Sequence, residues 1–135
     1  LVLTFSQADM EKFSASAWQA LSDMHAFGFR FAIDRLEHLN VDFSALAGRG
    51  FVFVKLDAAV LLAGLASRER FVPALEVCRT IAGAGLTLIA DAIESEAMRA
   101  RLFGFGVLLG QGQLFGGSRL VSVDTSVSSG ASVAA

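Results

Sequence analysis

One cysteine, one proline and no long apolar run are what this 135-residue chain has little of. A single cysteine, Cys78, has no partner for a disulfide within the chain, so the core must hold the fold, and a reducing, cytoplasmic setting is expected. Cys78 lies in Ala74-Leu75-Glu76-Val77-Cys78-Arg79, a helical context where a buried, inert thiol is expected rather than a nucleophile. The longest apolar runs, 58–66 and 102–110, fall well short of the ~20 residues of a membrane-spanning helix. Charge of one sign is also lacking: 11 Lys and Arg face 13 Asp and Glu, which argues against a nucleic acid polymer or an acidic membrane as partner. The first residues have neither the basic stretch nor the apolar core of a secretory signal. Leu1 instead opens directly inside an apolar segment without Met, as expected of a piece of something longer.

What the chain does have is a hydrophobic content of 54%, high for a soluble domain. Without a membrane span, this points to strands buried on both faces, which read as continuous apolar runs. Leu1–Phe5, Phe29–Ile33, Phe51–Leu56, Leu86–Ala90 and the segment after Gly104 to Leu109 are such runs. Between them lie helical patterns. One starts after Ser6 or Asp9 and continues to His25, with Phe13, Ala17, Leu21 and Met24 on one face. A short helix is expected around Phe43–Ala47. Another covers Ala58–Ala66, and one after Ser67 runs to Ala82, with Pro73 awkwardly near its first turns and Gly83 and Gly85 ending it. Ser95 is placed to cap a last helix through Phe103. The tail, 120–135, is Ser-, Val- and Ala-rich and is expected to be weakly ordered. Alternation of strand and helix predicts an α/β fold of about five parallel β/α units. Five strands do not close an eight-stranded barrel, so the sheet is open or about three units lie outside the chain on the N-terminal side.

In parallel α/β folds, ligands sit at the C-terminal ends of the strands. Asp34, Lys55, Asp57, Asp91, Glu94 and Gln111 fall there. Carboxylates with a lysine in one crevice suit metal-assisted phosphoryl chemistry. Single acids at strand ends also cap helices or meet solvent, whereas Lys55, inside an apolar strand, needs an anionic partner or a wet cavity. Other patterns are weaker. The glycines Gly104, Gly106, Gly110, Gly112 and Gly116 surround a strand instead of joining strand to helix, so a dinucleotide-binding turn does not follow. His25 and His38 lack further ligands at metal spacing and are expected to be solvated. Trp18 and the strand phenylalanines are expected in the core.

The segments Leu1–Gln7, Asp34-Arg35-Leu36-Glu37, Lys55-Leu56-Asp57, Ala90-Asp91-Ala92-Ile93-Glu94 and Gln111-Gly112-Gln113-Leu114-Phe115 resemble, in order, the motifs of the EAL domain family of cyclic di-GMP phosphodiesterases and receptors. The separations fit as well: Asp34 and Asp57 are 23 positions apart, Asp91 and Gln111 are 20 apart. The resemblance covers residues 1–119 and implies the C-terminal part of a TIM-like (β/α)8 barrel. It implies a ligand mouth drawing on Asp34, Arg35, Lys55, Asp91, Glu94 and Gln111.

The departures from the family pattern are severe. Thr4 stands where the resemblance implies a metal-binding glutamate, and Gln7 where it implies a second glutamate that braces a loop over the metals. Arg35 replaces the second aspartate of a D-D pair, and Asp91 replaces a glutamate. Leu36-Glu37-His38-Leu39 replaces an F-G-T-G loop and its glycines. Paired cations ~4 Å apart need several bridging carboxylates. The expectation is therefore a catalytically inactive domain in which Asp34, Lys55, Asp57, Asp91 and Glu94 are vestigial and no metal or other cofactor is held. Such a domain serves as a cyclic di-GMP receptor or protein scaffold in bacterial signalling, with partners in motility or surface attachment and a homodimer as a candidate assembly. The alternative is an active phosphodiesterase with an atypical Mg or Mn site. Arg35 has two readings, a bidentate phosphate ligand or a salt bridge to Asp34, Glu37 or Asp57.

Overall fold

The computed structural model describes residues 1–109. Strand β1 (Val2–Ser6) runs straight into a short helix, α1 (Gln7–Met10), which Ser6 caps by accepting the Asp9 amide. One helix to His25 was expected, but the chain breaks over 11–14 and restarts as α2 (Ala15–Ala26). Ser14 makes the break, because its hydroxyl takes the Ala17 amide and so begins a second helix. Strand β2 (Arg30–Asp34) follows, then α3 (Phe43–Gly48) capped by Asp42, then β3 (Phe51–Asp57). Helix α4 (Ala58–Ala63) is shorter than the expected 58–66, since Gly64 turns the chain at φ +97°.

Beyond Gly64 the expected helix start is replaced by a two-rung antiparallel hairpin, β4 (Leu65–Ala66) with β5 (Phe71–Val72). Pro73 is then no obstacle. It occupies the N-cap position of α5 (Ala74–Gly83), where a missing amide proton removes no helical bond. Strand β6 (Thr87–Asp91), helix α6 (Glu96–Gly104) capped by Ser95 as expected, and β7 (Leu108–Leu109) complete the described chain.

The five long-range strands form one sheet in the order β1-β2-β3-β6-β7, and every pairing is parallel. This is the arrangement that the alternating apolar runs predict. Right-handed crossovers between strands laid down in chain order place their helices on the same face. That face carries Phe31, Ile33, Val54, Leu56, Leu88 and Ala90, which join Leu21, Leu46, Leu61, Val77, Ile81 and Leu102 of the helices in one core. Phe5, Phe13, Trp18, Phe51 and Phe31 contact one another in a closed cycle of edge-on and tilted rings, and Trp18, expected in the core, is partly buried and packs against it. The opposite face carries the row Thr4, Ala32, Phe53 and Thr87, matched across neighbouring strands, with Lys55 and Ile89 matched above it. Thr4 and Thr87 are exposed, and Phe53 and Lys55 half-buried.

Cys78 is 7% exposed in the core-facing side of α5, and burial pushes its thiol above the ordinary range. Thiol-reactive dye at pH 8 is expected to label the native protein at least ~10-fold more slowly than the urea-unfolded chain, since a raised, shielded thiol supplies little thiolate. A second prediction concerns Gly64. A Cβ there would lie 2.6 Å from the Phe71 ring and 2.6 Å from the Val72 carbonyl oxygen, on a backbone that disfavours L side chains. Gly64→Ala is expected to lower the unfolding free energy by roughly 2 kcal/mol or more in urea titration.

Candidate functional site

The C-terminal ends of β2, β3 and β6 open into one cleft of about 390 Å³. Asp34, Arg35, Glu37, Lys55, Asp57 and Asp91 line it, over an apolar base of Leu36, Leu56 and Val60. Strand register explains the gathering. Asp57 sits directly opposite Asp91, Lys55 opposite Ile89, and Ser6 opposite Asp34. Lys55 and Asp57 share a face because strand side chains alternate with a period of two. Four of the acids and bases expected at the mouth are therefore together with Arg35. Glu94 is exposed, in the connection after β6, and does not line the cleft. Gln111 lies outside the described residues. Thr4 lies two residues below the β1 end, paired with Ala32, and is exposed on the strand.

The charged groups differ in what they are already doing. Asp57 is the N-cap of α4: one carboxylate oxygen accepts the Ala59 amide at 2.8 Å and the Val60 amide at 3.4 Å. Asp34 Oδ1 is buried and accepts no hydrogen bond among the described residues. The Arg35 Nε lies 3.7 Å from it, beyond hydrogen-bond reach but close enough for charge. Arg35 is in the left-handed region at φ +49°, and its side chain is 80% exposed. Ala92, the residue after Asp91, adopts the same conformation at φ +59°. Lys55 is half-buried and makes no ion pair or hydrogen bond among the described residues. No group of three or more His, Cys, Asp or Glu among those residues is placed to hold a metal ion.

Gln7 is 2% exposed and holds the loop after β2. Its Oε1 accepts the Glu37 amide and, at 3.2 Å, the His38 amide; its Nε2 donates to the His38 carbonyl at 3.1 Å. His38 was expected to be a solvated loop residue and is instead pinned. The Asn40 amide can only donate, so His38 Nδ1 accepts it at 3.2 Å, and Nε2 carries the proton that goes to Glu11 at 2.7 Å. The same loop then meets the hairpin, where the Leu39 amide bonds the Ala66 carbonyl and Asn40 Oδ1 accepts the Arg68 amide, both at 2.8 Å. The Gln7 position was legible from the motif alignment, but its partners, some thirty residues away, were not.

The EAL domain family model matches residues 1–118. Two solved structures share the fold. One is titled "PaMucR Phosphodiesterase, c-di-GMP complex", with a TM-score of 0.62 and 20% identity over 90% of this chain and 49% of that one. The other is titled "Structure of EAL enzyme Bd1971 - cAMP bound form", with a TM-score of 0.66 and 20% identity over 87% of this chain and 31% of that one. The chain thus spans half or less of the length of either structure. No curated protein matches it. Among the described residues no helix is long and apolar enough to cross a membrane.

The Gln7 contacts yield a prediction. Gln7→Leu keeps the volume but removes the acceptor of the part-buried Glu37 and His38 amide bonds, at up to about 1–3 kcal/mol for each unmet group. The variant is expected to lose roughly 2–4 kcal/mol in urea titration, with amide exchange at Glu37 and His38 accelerating more than exchange in β3. Unchanged protection of those two amides would show that the loop does not depend on Gln7.

Proposed function

The chain belongs to the EAL domain family, and on that premise we propose that it is a catalytically inactive member that acts as a receptor for cyclic di-GMP, passing the bound state to a protein partner in bacterial signalling. The observation that carries this reading is Arg35 against Asp34. Paired divalent cations need shared carboxylates around them, and here the first acid of the mouth already faces the Arg35 guanidinium. Asp57 is committed to the α4 amides. Thr4 has no carboxylate to offer. These residues do not fit a metal pair.

Recognition of a phosphodiester asks less of the site than its cleavage. It needs donors and positive charge, without a metal-bound nucleophile or a proton relay. Lys55 offers an ammonium group into the cleft as a point charge, and no hydrogen bond among the described residues engages the Arg35 guanidinium fork. Contact between that fork and a phosphate oxygen is compatible with the Nε of Arg35 remaining beside Asp34. The gathering of Asp34, Asp57 and Asp91 at one mouth favours the alternative, an active phosphodiesterase with an atypical metal site.

Two measurements separate these readings. Calorimetry with cyclic di-GMP in excess EDTA is expected to give saturable binding at about micromolar level, weakened at least ~10-fold in Lys55→Gln, since losing a charged contact costs ~1.4 kcal/mol or more. In Mg²⁺ or Mn²⁺, neither the native protein nor Arg35→Asp is expected to hydrolyse the dinucleotide, because restoring one of several missing ligands recovers little. Turnover by either at around 1 per second or faster would establish the enzyme reading instead.

A further inference from the structure

We propose that His38 is a proton-operated latch on the rim of the cleft: the neutral ring holds the loop that carries Arg35 and Glu37, and on gaining a second proton it gives up that loop while keeping its hold on Glu11.

The hydrogen bonds around the ring carry this. Nε2 faces a Glu11 carboxylate oxygen at 2.7 Å. Nδ1 faces two donors, the Asn40 backbone amide at 3.2 Å and Gln7 Nε2 at 3.4 Å. In the neutral ring Nδ1 offers them a lone pair, whereas the imidazolium has a proton on each nitrogen and accepts nothing. Its new Nδ1 proton would point at two other donors, so the Asn40 bond is lost. Gln7 cannot turn its amide over to accept that proton. Its Oε1 is held by the Glu37 and His38 amides, and its Nε2 also donates to the His38 carbonyl. On the other side of the ring, the bond from Nε2 to Glu11 becomes charge-assisted and strengthens. One proton therefore loosens the loop and tightens the turn after α1.

The loop gives this event its reach into the cleft. Arg35, Leu36 and Glu37 line the cleft and directly precede His38, and the Glu37 amide hangs from the same Gln7 that faces Nδ1. Among the described residues Glu11 is the ionic partner of the ring. Asp9 and Lys12, from α1 and the turn after it, and Glu37, from the loop, are exposed and form no ion pair among those residues. Asp42 caps α3, and Arg68 of the hairpin meets the loop through its backbone amide, on Asn40 Oδ1. Histidine is the side chain whose charge ordinarily changes between about pH 5 and 8, so the exchange of partners falls in a range where the neighbouring acids stay ionised.

The test is an NMR titration of the ligand-free protein from pH 8 to pH 5.5. At pH 8 the ring nitrogens are expected to show the tautomer protonated on Nε2. As the ring titrates, the Asn40 amide signal is expected to move with the same midpoint. Its protection from exchange, corrected for the intrinsic rate, is expected to fall at least ~3-fold, the loss of one modest hydrogen bond, with the Glu37 amide following. His38→Asn places an oxygen near the Nδ1 position and takes up no proton in this range, so Asn40 protection in that variant is expected to be independent of pH. A proton on Nδ1 at pH 8, Asn40 protection that holds while the ring titrates, or the same pH-dependent loss in His38→Asn would overturn the proposal. Absence of cyclic di-GMP binding, by contrast, would remove the receptor reading and leave the latch to stand.

Discussion

Gln7 is the one buried polar side chain among the described residues, and the loop after β2 hangs from it. An amide suits the place better than a carboxylate would. It accepts two backbone amides on one atom and donates to a carbonyl on the other, so both its polarities are met without burying charge. Position follows from topology. Gln7 begins α1 directly after β1, and β1 lies beside β2 in the sheet, so the start of one unit is within reach of the loop leaving the next. Through His38 and Asn40 the same loop is joined to Glu11 and to the hairpin ahead of α5. The rim of the cleft is in this way a hydrogen-bonded layer resting on a sheet, and its shape depends on residues that never enter the cleft.

Much of the architecture was legible in the sequence because parallel strands covered by helices must be continuously apolar. The five runs, their order and their parallel pairing follow from that rule and from alternation with helices. The errors have equally specific causes. The break over 11–14 was hidden because Phe13 keeps the apolar spacing although it lies outside both helices; it packs edge-on against Phe5 and Trp18 all the same. The hairpin was hidden because each strand has two residues, too few for any period, and because Ala58–Ala66 reads as one apolar run across Gly64. At the site, strand ends are visible in a sequence and so were Asp34, Lys55, Asp57 and Asp91. The Gln7 and His38 contacts were not, since hydrogen bonds between residues 31 apart leave no local pattern.

Gathering acids at a mouth is a different matter from making them available. Asp57 illustrates this: it lines the cleft, yet one of its oxygens already completes the first turn of α4. A cap and a metal ligand draw on the same lone pairs, so a residue serving the helix is a poorer ligand than its location suggests. Glu94 illustrates the converse. Its place in the motif is right, but the chain leaves β6 through Ala92 at φ +59° and carries Glu94 outside the lining. Spacing along the sequence therefore identifies which residues reach the region of the site, while local backbone and capping decide what each one does there.

Arg35 and Ala92 share an uncommon feature: each follows a strand-end aspartate and each is left-handed without being glycine. Strain of this kind, about 1–3 kcal/mol apiece, flanks β3 on both sides, because β2 and β6 are its neighbours in the sheet. The consequence is that the two outer aspartates are held in fixed relation to turns, whereas Lys55 projects from the strand between them with no ion pair among the described residues. A lysine half-buried in an apolar strand is expensive to keep unless water or an anion meets it. Asp34 has its counter-charge and Asp57 has its amides, whereas the Lys55 ammonium has no ionic partner among the described residues. That ordering of needs, more than the number of carboxylates present, is what the proposed receptor reading rests on.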